Sequence, residues 1–229
     1  MATVQENKKE KRNAMRPEIP YSHIVIEGVI GVGKTSLCTR LARALGGTCI
    51  LEKFDENPFI QEFYKSPRAY AFKTQLYYLI TRFKQNQELP FPDLFNSPLV
   101  VDYLFQKDRI FASVNLDDHE LALYNQVWAV LEPKVRIPDL VVYLQASTDS
   151  LLKRIQRRGR DYERNISHEY LDALNTAYDE FFFHYTAAPV FIVNTNDINF
   201  VEKAGDFDDL VARISEPRTG ITFYNPKGL

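Results

Sequence analysis

The residues Gly28-Val29-Ile30-Gly31-Val32-Gly33-Lys34-Thr35 fit the pattern G-x-x-x-x-G-K-[ST], and each residue type in it suits a phosphate. Glycines let backbone N–H groups turn toward phosphate oxygens, and the helical run Ser36 to Leu45 that follows adds the positive end of its dipole. Lys34 reaches the β and γ phosphates of a nucleotide, and the Thr35 hydroxyl can ligate Mg²⁺. Gly28, Gly31, Gly33, Lys34, Thr35 and Ser36 are thus the expected contacts to ATP. Such a loop serves kinases, ATPases, GTPases and switches alike, so the reaction has to be read from the rest of the chain.

Three carboxylates, Glu27, Glu52 and Asp102, fall at the ends of short β-rich runs, where open α/β sheets bind their ligands. A phosphoryl acceptor hydroxyl needs a base, and a carboxylate at the tip of the second run faces the γ-phosphate across the loop. Glu52 suits that role, with Asp55 and Glu56 as neighbours able to displace it. Asp102 closes the apolar run Leu99-Val100-Val101, the place from which an acid reaches Mg²⁺ directly or through water. The plain alternative for each is a solvated strand-end carboxylate or a helix cap.

Between Lys153 and Arg164 the chain carries five arginines at a helix end and the loop beyond it. Arg154 and Arg158, four apart, share a helix face. Guanidinium forks match phosphate oxygens, so a loop carrying several can close over ATP, expel water and stabilise charge on the group in transfer. The segment reads as a lid, its alternative being a solvated basic helix end. Glu163, a carboxylate among these cations, can accept a hydrogen bond from a sugar hydroxyl.

Parallel strands connected by helices would position these groups. Apolar runs recur at His23 to Ile26, Thr48 to Phe54, Leu99 to Tyr103, Leu140 to Gln145 and Val190 to Asn194, mostly without alternation, as strands covered on both faces require. Helical spacing marks Ala69 to Gln87, Asp118 to Val135, Thr148 to Arg158, His168 to His184 and Phe207 to Ser215. Ser147 is placed to cap the third of these, Gly159 ends it, and Pro90, Pro92 and Pro98 mark a loop. The expected fold is α/β: a P-loop NTPase-type parallel five-stranded sheet, helices on both faces, and an arginine-rich lid. Residues 1–20 read as a flexible tail rich in charge, 21–216 as the phosphate-loop kinase domain, and 217–229 as a C-terminal extension.

The 229 residues, 45% of them hydrophobic, suffice for one well-buried domain. A net charge of -2 supplies no global field to draw in DNA or RNA, so an anionic ligand must be held locally. Cys38 and Cys49 lack metal or redox spacing, and no run is long and apolar enough to span a membrane; the expectation is a cytoplasmic protein without disulfides.

Taken together, the loop, Glu52, Glu56-Asn57-Pro58-Phe59, Ala71-Phe72-Lys73-Thr74-Gln75-Leu76, Asp102, Asp108-Arg109-Ile110-Phe111-Ala112 and Arg158-Gly159-Arg160 resemble the deoxynucleoside kinase family, especially its bacterial purine members, over about Ile24 to Asn194. The resemblance implies ATP-dependent 5′-phosphorylation of a deoxynucleoside, purine favoured, with ATP and Mg²⁺ as cofactors and a homodimer as the assembly. It implies that Glu52 accepts the 5′-hydroxyl proton, that Gln75 pairs with the base edge with Arg82 adding a donor, and that Tyr64 and Glu163 hold the 3′-hydroxyl. Phe111 stacks on the base, and Arg154, Arg158 and Arg160 are the lid arginines. For Tyr64, Phe72 and Phe111 plain core packing is the alternative. One departure matters: the family follows its strand-three acid with arginine, whereas Tyr103 and Leu104 follow Asp102, so Asp108 and Arg109 are expected to take over that work. Lys34, Glu52, Arg109 and Arg158 are then the catalytic set. Two other readings remain: a nucleoside monophosphate (thymidylate-like) kinase, which needs extra cations near Glu52 where the sequence offers only Lys53, and a non-catalytic nucleotide-binding subunit.

Overall fold

Runs such as Ile24-Val25-Ile26 and Leu140-Val141-Val142 carry branched side chains at successive positions, so they are stable only as strands covered on both faces. The computed structural model describes residues 19–90 and 97–226. Residues 1–18 of the expected tail, and Pro92 of the expected loop, lie outside the described residues. The strands are β1 (His23–Gly28), β2 (Thr48–Ile50), β3 (Leu99–Val101), β4 (Leu140–Gln145), β5 (Val190–Asn194) and β6 (Ile221–Tyr224). They form one sheet in the order β2-β3-β1-β4-β5-β6, with every pairing parallel. β1 lies at its centre, buried at all six positions.

The sheet has six strands rather than the expected five. The sixth lies within residues 217–229, the stretch read as an extension, and pairs in parallel with β5. Its sequence Ile-Thr-Phe-Tyr lacks a continuous apolar run because it is an edge strand, half covered, with Phe223 69% exposed.

Helices cross between the strands: α1 (Lys34–Leu45), α2 (Ile60–Lys65), α3 (Pro67–Gln87), α4 (Lys107–Asn115), α5 (Asp118–Leu131), α6 (Thr148–Arg158), α7 (His168–His184) and α8 (Ala204–Ile214). Helices α6 and α7 have the bounds that periodicity predicts, since both carry serine N-caps: Ser147 Oγ accepts from Ser150 N–H and Ser167 Oγ from Tyr170 N–H. Gly159, with φ 72°, ends α6 as expected. The short α2 and α4 carried no such signal. Proline at the first turn of α3 and the reciprocal Asp117–Glu120 capping box on α5 fix the starts of those two helices.

Two cores result, one around the sheet and a second between α2, α3, α4 and α5 that is centred on Tyr124, Trp128, Phe105 and Leu79. Cys38 of α1 and Cys49 of β2 are free, with their sulfurs 3.3 Å apart, a proximity that ten intervening residues do not advertise. The first three strands end on one edge of the sheet. The phosphate loop follows β1, Glu52 lies just past β2 and Asp102 just past β3.

Candidate active site

The loop from Gly28 to Gly33 turns from β1 into α1, whose first residue is Lys34. Gly31, with φ +87°, packs so closely beneath α6 that a Cβ there would stand 2.7 Å from Ile155 Cγ1. Lys34 Nζ donates to the carbonyl oxygens of Gly28, at 2.6 Å, and Val29, at 3.3 Å, folding the ammonium over the loop. Burial, followed by the charge of Lys107, lowers its pKa to about 8. At the foot of the loop Thr35 Oγ1 donates to Asp102 Oδ2 at 2.8 Å, while the N–H of Glu52 donates to Asp102 Oδ1 at 2.5 Å. Burial raises the pKa of Asp102.

Glu52 has both oxygens engaged. Oε1 accepts from Arg82 Nε at 2.7 Å and pairs with Nη2 at 2.5 Å, and Oε2 accepts from Lys107 Nζ at 2.7 Å. Burial alone raises a carboxyl pKa, but here the charges of Arg82 and then Lys107 reverse that effect and hold Glu52 well below the usual carboxylate range. Arg82 reaches on to Asp108, Nη1 to Oδ2 at 2.5 Å, and lies over the Tyr78 ring at 4.5 Å. Asp108 is fully buried, and burial pushes its pKa up to about 6 despite Arg82. It accepts from the Tyr124 hydroxyl at 3.1 Å, and its backbone carbonyl accepts from Gln75 Nε2 at 3.1 Å.

These groups line one cleft of about 830 Å³, counting its open mouth, within the range of small-molecule sites. On its far wall Tyr64 stacks on Tyr162 with ring centres 5.6 Å apart, and Glu163, 4% exposed, accepts from Arg158 and, at 3.4 Å, from Arg160. Arg160 also lies over the Phe54 ring at 4.1 Å. The cleft therefore has a phosphate end at Lys34 and Thr35, a carboxylate at its middle, and a deep end of ring, amide and guanidinium groups.

A family model for deoxynucleoside kinases matches residues 24–217. The chain belongs to that family. It is 32% identical to a deoxyguanosine kinase of Bacillus subtilis over 200 residues, covering 84% of this chain and 96% of the relative. It is 35% identical to a deoxyadenosine kinase of Dictyostelium discoideum over 174 residues, covering 74% and 70%. The structure of deoxyadenosine kinase from M. mycoides with bound dCTP superposes with a TM-score of 0.69 at 29% identity, covering 84% of this chain and 98% of that one.

In this deoxynucleoside kinase, Gly31, Lys34, Thr35, Glu52, Tyr64, Gln75, Arg82, Asp102, Phe111, Arg158, Arg160 and Glu163 all line the cleft. Asp108 lies directly behind its floor, bonded to Gln75 and Arg82. Arg154 does not line it; its guanidinium bonds Val32 O at 3.2 Å and Thr195 O at 2.6 Å, bracing the back of the loop. Gly28, Gly33 and Ser36, in the loop and the first turn of α1, are likewise not among the residues that line this cleft.

Arg109 departs from expectation. It is exposed and lines a separate groove with Glu132, Phe181 and His184. A helix turns about 100° per residue, so on α4 positions 107, 108 and 111 can face the cleft side while 109 faces away. The charge beside Glu52 comes from Lys107 instead, a residue sequence reasoning did not single out. Its one signal was its place four residues before Phe111. Lys53 was likewise misread as the cation near Glu52: it is exposed and pairs with Glu56 at 3.6 Å. Glu27 turns inward, where it accepts from the N–H of Leu104 at 2.7 Å and the Tyr178 hydroxyl at 3.1 Å, tying the turn after β3 to the sheet.

Proposed function

We propose that this kinase transfers the γ-phosphoryl group of ATP to the 5′-hydroxyl of a deoxynucleoside, with purines favoured, and that Glu52 is the base. The carrying observation is the position of that carboxylate, its side chain 10% exposed, between the Thr35–Asp102 pair at the phosphate end and the Gln75–Arg82–Asp108 network at the deep end. The acceptor hydroxyl gives its proton to Glu52 as its oxygen bonds to the γ-phosphorus; the bond to the bridging oxygen breaks and ADP leaves with the electron pair. Tyr64 and Glu163 hold the sugar, Gln75 and Arg82 address the base edge, and Phe111 supplies an aromatic face. Arg158 and Arg160 stand on the lid side to bind phosphate oxygens. Purine preference is supported by relatives named as deoxyguanosine and deoxyadenosine kinases.

The Thr35 hydroxyl and Asp102 carboxylate form a set of hard oxygen donors that suits Mg²⁺. Among the described residues no group of three or more His, Cys, Asp or Glu side chains could hold a metal by itself, in keeping with an ion held partly by substrate phosphates. Thr35 and Asp102 would hold the ion, which there would offset negative charge on the phosphates.

A monophosphate acceptor would need surplus positive charge near Glu52. Arg82 and Lys107 are there, but both are paired, with Glu52 and Asp108 as counter-charges. That balance supports an uncharged acceptor. We further propose a cytoplasmic homodimer: no helix among the described residues is long and apolar enough to cross a membrane, and α3 and α5 expose Ile80, Leu123 and Val130. The deciding assay is ATP consumption with Mg²⁺ across deoxyadenosine, deoxyguanosine, deoxycytidine and thymidine, with the four monophosphates alongside. Turnover confined to monophosphates overturns the acceptor, and no turnover with any of them overturns the reaction.

A further inference from the structure

Helix α4 brings a buried ammonium to Glu52, the carboxylate assigned above to the acceptor hydroxyl. We propose that Lys107 is a positioning residue for phosphoryl transfer, a movable counter-charge that holds Glu52 ionised and aimed, then yields Oε2 to the acceptor hydroxyl while keeping its positive charge beside the reacting oxygens. The inference rests on the phosphotransfer reading above and deepens it.

The two cations on Glu52 are held very differently. Arg82 is fixed on both sides, by Glu52 through two nitrogens and by Asp108 through a third, with the Tyr78 ring beneath it. It has no freedom to release Oε1 without breaking that network. Lys107 is only 4% exposed, yet among the described residues its hydrogen-bond partner is Glu52 Oε2 alone. An ammonium has three donors, so two remain for groups that enter the cleft. Its flexible four-carbon stem lets it shift as a hydroxyl arrives.

Location supports the same role. Lys107 lines the same cleft as Glu52 and as Lys34 and Thr35 of the phosphate loop, so it stands in reach of both the base and the phosphate end. A hydroxyl arriving at Oε2 takes the position that Lys107 occupies, and the displaced ammonium can donate to the hydroxyl oxygen or to a phosphoryl oxygen. When the proton moves from that hydroxyl to Oε2, Glu52 becomes neutral, and the charge of Lys107 is freed to offset the negative charge spread over the transferring group. Arg109, the nearest arginine in sequence, faces another groove and cannot stand in.

The test compares Lys107→Met and Lys107→Arg with wild type, and both Lys107→Met and wild type with their Glu52→Gln counterparts. Lys107→Met should lower kcat on the best deoxynucleoside about 100-fold or more, leave KM for ATP and the ADP-induced shift in Tm within about twofold, and be rescued at least tenfold by Lys107→Arg. In the Glu52→Gln background, Lys107→Met should cost at least about tenfold less than in the wild-type background, because the part of its role that acts through Glu52 is gone. That double variant removes one charge of each sign, so it reports even if the single variant folds poorly. A Lys107→Met enzyme within threefold of wild type, equal loss in both single variants, or additive losses in the double variant overturns the proposal. A wild-type enzyme with no nucleoside turnover overturns the phosphotransfer reading itself.

Discussion

If Glu52 is the base proposed above, its surroundings keep it ionised at a cost in basicity. Arg82 and Lys107 stabilise its charged form, so it stands ready to accept a proton across the physiological range, while transfer gains its drive from charge redistribution around the phosphates. Glu52→Gln keeps the size of the side chain and removes the proton acceptor. Its kcat should fall by about 10²–10⁴-fold with the ADP-induced rise in Tm preserved; kcat within threefold of wild type removes Glu52 from the mechanism. At this scale the sequence disclosed groups whose chemistry is local. Lys34 and Thr35 sit in a contiguous pattern, and Glu52 and Asp102 follow recognisable strands. Lys107 and the Arg82–Asp108 pair were illegible as partners, because their meaning arises from a contact between α3 and α4 that no spacing encodes. Arg109 was misassigned for a related reason: the helix carrying it had no predicted start, so its rotational phase could not be set.

Strand β1 and the loop after it show how an element constrains its residues. His23, the first residue of β1, is 4% exposed. Burial, opposed by Asp139, lowers its pKa to about 4. The folded state therefore binds fewer protons than the unfolded state between these values, so the contribution of His23 is complete above about pH 6.5 and lost as pH falls toward 4. Its magnitude is at most about 3 kcal/mol. Urea denaturation at pH 7 and pH 4.5 should give His23→Phe a smaller acid-induced loss of stability than wild type, and identical losses sink the assignment. In the loop, Gly31→Ala forces a Cβ into Ile155 and a backbone that costs L-residues about 1 kcal/mol or more, so the loop must move away from α6. The ADP-induced Tm shift should shrink by half or more; an unchanged shift means that loop geometry is not set by this contact. Elements with their own punctuation, such as the serine-capped α6 and α7, were legible to the residue, whereas α2, α4 and the edge strand β6 depend on tertiary cover and were not.

Across the whole molecule, an all-parallel sheet gathers the ends of β1, β2 and β3 on one side, and the helices that return between them form the walls of the cleft. That arrangement was legible because strand and helix runs alternate along the chain, and parallel strands need such crossovers. What alternation cannot say is which helix faces remain uncovered. On α5 Tyr124 and Trp128 point into the core between the helices, while Leu123, 51% exposed, and Val130, 63% exposed, share the opposite side with Ala122, Gln126 and Ala129, and Ile80 of α3 adds to the exposed apolar surface. None of the five α5 positions just named carries a charge, an unusual face to leave in water. A second copy of the chain using the same face would bury it by twofold symmetry. Light scattering should then give about twice the chain mass for wild type, and Leu123→Glu combined with Val130→Glu should shift the mass to that of one chain, with the phosphate loop and Glu52 untouched. A monomeric wild type, or a double variant that stays dimeric, removes this face from the assembly; a mass that halves on mutation places the dimer on α5, on the side of the helix opposite the buried Tyr124 and Trp128.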